Sequence, residues 1–155
     1  MSYKIISKFI KDISFEIPNA ETFVMLEKEI EKYILNFDIK SKPFKNNIVE
    51  VNTIMKLVPR EDIKHKILVE INLAALVSID HDKIKAVKIE KEDMEFKKTK
   101  QVEKIILADV PKEVYPTLYE TFIFLFSKAG IKNITVVKEV DFEKLYNERG
   151  KSQLK

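Results

Sequence analysis

Residues 3–19 read YKIISKFIKDISFEIPN. The odd positions are Tyr3, Ile5, Ser7, Phe9, Lys11, Ile13, Phe15 and Ile17, and the even ones include Lys4, Lys8, Asp12, Ser14 and Glu16. A period of two puts successive side chains on opposite faces of a strand, so the stretch predicts a β-strand with one buried and one wet face. Pro18-Asn19 stops it.

The same period recurs downstream. A second strand alternates Tyr33, Leu35, Phe37 and Ile39 against Asn36, Asp38 and Lys40, and Pro43 ends it. A third runs from Ile48 to Val58, with Val49, Val51, Met55 and Leu57 on one side. The turn-like Pro59-Arg60-Glu61-Asp62 predicts an antiparallel return. The fourth, Ile63 to Ile79, has Ile67, Val69, Ile71, Leu73 and Val77 on one face and Leu68, Glu70, Asn72 and Ser78 on the other. Its length places it near the sheet centre. Between the first two strands, Phe23, Leu26 and Ile30 fit either a helix or a loop crossing the sheet.

The end of the chain changes period. Asp109 and Pro111 are helix start signals. Val114, Leu118, Phe122, Leu125 and Phe126 follow as a broad apolar stripe. Pro116 either kinks this helix or marks its start. Gly130 supplies a left-handed stop. Asp141 caps a second helix, with Val140 placed to staple against Leu145; Phe142, Leu145 and Tyr146 share a face. Gly150 ends that helix, leaving KSQLK frayed. Residues 83–104 hold eight lysines and five acids. Within the 83–108 connection, Ile84, Val87 and Ile89 fit a β extension, and Met94 to Ile106 fit a helix start. Strands followed by helices predict an α+β domain: a four-stranded antiparallel sheet with two C-terminal helices packed on one face. The length of 155 residues favours one domain over 1–155.

Composition removes many chemistries. The chain has no cysteine, which excludes disulfides, thiolate zinc sites and cysteine nucleophiles. It has two glycines, Gly130 and Gly150, so a Gly-rich phosphate loop is impossible. The net charge of +3, from 28 basic and 25 acidic residues, is too small and too mixed to argue for nucleic acid. The start lacks the long apolar core of a secretory signal, and no run approaches the roughly 20 apolar residues of a membrane span. A soluble, cytoplasmic protein without membrane insertion is expected.

No catalytic set emerges. A lone His65 on the apolar face of the fourth strand reads as a core or interface residue. Asp80-His81-Asp82 reads as a polar turn, short of the three or four convergent ligands of a metal site. Asp12 and Glu16 lie four apart on one strand face, roughly 13 Å at strand rise, which is wider than a glycosidase pair. What stands out is apolar surplus. Phe122, Ile123, Phe124, Leu125 and Phe126 run consecutively, so they surround their helix. A helix apolar on all sides must be covered on all sides, which points to oligomerisation or to cover from residues 83–108.

Four segments carry a family resemblance: KDISFEIPNAETF (11–23), ILVEINLAALVSI (67–79), VYPTLYETFIFLFSKAG (114–130) and NITVVKEVDFEKLYNER (133–149). In order, they resemble the first strand, fourth strand, first long helix and closing segment of SecB proteins. The resemblance implies a cytoplasmic holdase, not an enzyme, with no cofactor. It implies a homotetramer built as a dimer of dimers, which binds unfolded preproteins and passes them to the translocation ATPase SecA. By position, the SecA contact falls on Asp12, Glu16, Leu68 and Glu70. The client groove falls on Leu35, Phe37 and Ile39, faced by Phe142, Leu145 and Tyr146. The chain departs from the family's acidic balance and acidic tail, and its 83–104 connection is longer. These departures bear on the SecA contact more than on client holding. A second reading within the class is a SecB-like chaperone for another client, such as an antitoxin. From another class, the rival is a small-molecule-binding or enzymatic α+β domain, which would need a closed pocket with convergent polar groups.

Overall fold

The computed structural model describes residues 2–80, 99–132, 134 and 140–153. Its strands are β1 (Tyr3–Glu16), β2 (Tyr33–Lys45), β3 (Ile48–Pro59) and β4 (Leu68–Ile79). They form one antiparallel sheet in the order β1-β4-β3-β2, so the longest apolar run sits inside, flanked by β1 and β3. The helices are α1 (Ala20–Glu29), α2 (Val110–Lys128) and α3 (Phe142–Gln153). The fold is the expected α+β arrangement.

One face of the sheet carries the core. Val51, Met55, Val69, Ile71, Leu73, Val77 and Ile79 are buried there with Val114, Leu118, Phe122 and Phe126 of α2. Phe15 meets Phe126 edge-on at 5.0 Å between ring centroids, joining β1 to α2. Each fully buried phenylalanine contributes about 2–3 kcal/mol by removal from water. The β2–β3 hairpin turns at Asn46, whose φ of 50° is a left-handed geometry that asparagine tolerates.

The unbroken odd–even alternation of β1 does not hold. The register slips between Ile5 and Ser7 and again between Ile10 and Asp12. Each extra residue flips the faces. Phe9, opposite Ala74, therefore joins Asp12 on the outer face and is 43% exposed. Lys8 turns to the helix face, where its Nζ donates to Thr117 Oγ1 at 2.9 Å. Pro43 does not end β2 either; it pairs with Val49, and the strand runs on to Lys45. Because β2 is an edge strand, a residue without an N–H is tolerated there.

β4 begins at Leu68, not Ile63. Ile63 and Ile67 are buried without being in the strand, and the Ile67 N–H donates to the Tyr33 hydroxyl at 3.1 Å. His65 thus sits half-buried in an irregular connection, off the strand face. Residues 20–29 are a helix, capped where the Thr22 N–H donates to Asn19 Oδ1 at 2.8 Å.

The start signals at Asp109 and Pro111 do not open a helix. The backbone is already helical from residue 99 and passes through a π turn at Ile105–Asp109, where the Val110 N–H bonds to the Ile105 carbonyl. That wider turn makes room for the ring of Pro111, which would clash with the carbonyl four residues back. Pro116 lies inside α2. Gly130 does stop it: with φ of 97°, its N–H bonds to Ser127 O, and Ile131 N–H bonds to Phe126 O at 2.9 Å. Those two bonds are a Schellman cap. Gly150 stops nothing, since α3 continues to Gln153. The expectations for His81 and for residues 83–98 lie outside the described residues.

Candidate functional site

A groove of about 500 Å³ opens where α3 crosses the end of the β2–β3 hairpin. Tyr33, Leu35 and Phe37 of β2 and Leu57 of β3 form one wall; Leu145 of α3 forms the other, with Phe122 of α2 between them. Arg60, Asp141, Lys144 and Glu148 make a charged rim. A smaller depression of about 230 Å³ shares Ile30 and Ile134 with it and extends the apolar surface to Leu26 of α1.

Local sequence fixes the α3 wall. The Lys144 N–H donates to Asp141 Oδ1 at 2.9 Å, the capping bond that sets where the helix begins. From that start, Leu145 falls toward the groove and remains 43% exposed. Ile34 is 40% exposed on the opposite side. Apolar side chains held this open can take up apolar segments of many sequences, because burial is non-directional.

The six groove residues expected from sequence divide. Leu35, Phe37 and Leu145 line the groove. Ile39 and Tyr146 are partly buried against the core and lie outside the lining. Phe142 also lies outside the lining: it is 2% exposed, belongs to the core, and packs edge-on against Phe37 at 5.1 Å and Tyr115 at 5.9 Å. The same burial pushes the Tyr115 hydroxyl pKa upward. Sequence reasoning missed Ile34 and Leu57. Ile34 lies on the even face of β2, and it reaches the groove only because β2 is the sheet edge. Nearby, burial pushes the Asp109 carboxyl upward, although Lys104 opposes the shift.

The opposite face of the sheet gathers the other predicted set. Cross-strand pairing puts Asp12 opposite Asn72, Ser14 opposite Glu70, and Glu16 opposite Leu68. Asp12, Glu16, Leu68 and Glu70 therefore share the face turned away from the helices, and Leu68 is 48% exposed. On this face the Lys11 ammonium lies 2.7 Å from Glu50, which also accepts from Asn52 at 2.8 Å; these bonds hold the Glu50 carboxyl below its ordinary pKa. Lys56 lies 3.8 Å from Glu70. Among the described residues, no group of three or more His, Asp and Glu side chains is placed to hold a metal ion. Nor is any described helix long and apolar enough to cross a membrane.

Known proteins match this chain along nearly its whole length. The family model for preprotein translocase subunit SecB matches residues 1–153. A putative protein-export protein SecB of Pelagibacter ubique is 38% identical over 148 residues, covering 96% of each chain. The structure of a SecB-like chaperone of Mycobacterium tuberculosis, in complex with a ChAD peptide from an antitoxin, superposes with a TM-score of 0.61 over 90% of this chain and 88% of that one. At 12% identity, that likeness speaks for the fold alone. The chain belongs to the SecB family of protein-export chaperones.

Proposed function

We propose that this SecB-family chain holds extended, unfolded preproteins in the groove between α3 and the β2–β3 hairpin, and presents the outer sheet face to a SecA-type translocation ATPase. It works in the cytoplasm as a homotetramer and catalyses no reaction. The observation that carries the reading is the open apolar groove, continuous from Leu145 and Leu35 past Ile30 to Leu26. A holder of unfolded chains needs such a surface: long, apolar and only lightly specified by polar groups. Several grooves on one assembly would raise avidity through effective concentration. Binding the unfolded state alone opposes folding by mass action. The charged rim of Arg60, Asp141, Lys144 and Glu148 leaves the groove mouth wet, so a bound segment could leave again.

The test is light-scattering mass after size exclusion, with and without a reduced, unfolded client at slight excess. The expected result is a tetramer that takes the unfolded client into a stable complex and ignores the same client once folded. A monomer indifferent to the unfolded chain would overturn the reading and move the small-molecule or enzymatic alternative forward. Capture of an antitoxin segment, with no binding of preproteins, would instead favour a dedicated antitoxin chaperone.

A further inference from the structure

We propose that Lys56 is an internal cation that competes with a basic partner for Glu70, and so sets how cationic a polypeptide must be to dock on the outer sheet face. This rests on reading that face as the docking surface.

Most of the face has neutralised itself. Glu50 is held by Lys11 at 2.7 Å and Lys42 at 3.9 Å, Asp38 by Lys40 at 3.9 Å, and Glu70 by Lys56 at 3.8 Å. Among the described residues, Asp12 and Glu16 have no cation within 4.0 Å. The negative potential is thereby confined to the β1 end of the face, beside the exposed Leu68.

Glu70 stands at the border of that strip. The strands align Asn36, Lys56, Glu70 and Ser14 in one row across the sheet. Lys56 is the direct cross-strand neighbour of Glu70, a position where opposite charges attract. The contact is loose, and both side chains are partly exposed, at 41% and 35%. Such a pair is weak enough for an arriving guanidinium to break. Before it breaks, Lys56 repels the arriving cation and occupies the carboxylate it needs. Lys56 thus lowers affinity for every basic partner and excludes those with few charges.

The experiment titrates the intact protein with a synthetic peptide that alternates arginine and leucine, by calorimetry at low and at physiological salt. Lys56→Gln should bind it about two- to fivefold more tightly than the parent, the worth of one exposed ion pair. The gap should narrow as salt rises. Lys56→Arg keeps the cation and should match the parent. Asp12→Lys should weaken binding in both backgrounds. If Asp12→Lys weakens binding but Lys56→Gln leaves it equal or weaker, the role of Lys56 is overturned and the docking face stands. If the parent does not bind, or Asp12→Lys changes nothing, the docking face itself is wrong and the inference falls with it.

Discussion

Glu50 shows what a single charge does on this sheet. Its carboxylate is largely buried, with 11% of its side chain exposed, and accepts from Lys11 and Asn52. Those bonds favour the ionised form, so its pKa in the folded state lies below the unfolded value. The resulting stability is present above the unfolded pKa and is lost as pH falls through the lower, folded one. Glu50→Gln should cost about 1 kcal/mol at neutral pH, a figure kept small because the Lys11 side chain is 39% exposed. It should also flatten the loss of stability below roughly pH 4.3. Urea midpoints of parent and variant from pH 7 to pH 3 check this: the two curves should converge at the acid end. Parallel curves would show that the pair contributes nothing. Phe142 carries a second lesson at this scale. Its place on the α3 stripe was legible, but its depth was not. Three rings, Phe37, Tyr115 and Phe142, close over one another, and no periodicity tells a core ring from a groove wall.

Elements were read best where their ends carry chemistry of their own. The Asp141 cap and the Gly130 stop act through bonds three to five residues away, so local sequence suffices for them. The bulges of β1 were invisible for the opposite reason: they depend on the register against β4, some sixty residues later. The start at Asp109 failed because the backbone is already helical at residue 99, within the Met94 to Ile106 stretch that also fits a helix start. Asp141→Ala tests whether the α3 cap matters to the groove. It should cost about 1 kcal/mol and speed hydrogen exchange at the first turn of α3. Asp141→Asn, which keeps an acceptor, should restore protection. Unchanged exchange in Asp141→Ala would mean that packing of Phe142 alone fixes the helix start.

At the scale of the molecule, the sheet separates two surfaces. The groove lies on the side that carries the helices; Asp12, Glu16, Leu68 and Glu70 lie on the other. The two should therefore fail independently. Leu35→Arg puts a charge into the apolar wall and should weaken binding of an unfolded client about tenfold or more, with the assembled mass unchanged. Asp12→Lys should leave client affinity at the parental value. Client titrations of both variants, beside light-scattering mass, check the separation. Loss of client binding in Asp12→Lys would show that the faces are coupled through the sheet.

By itself, the sequence determined the α+β class, the face of β2, β3 and β4 that turns inward, the Asp141 cap and the Gly130 stop. These follow from periods and from bonds between near neighbours, and both are written in local order. Family likeness in four segments carried the functional class. Only the tertiary structure decided which residues of an inward face stay open. Leu35 and Phe37 line the groove while Ile39, on the same face of the same strand, does not. The difference lies in where α3 crosses the hairpin, which depends on residues a hundred positions away. The structure also decided which carboxylates remain available. Glu70 meets Lys56 through strand pairing, while Asp12 and Glu16, on the edge strand, meet no cation among the described residues.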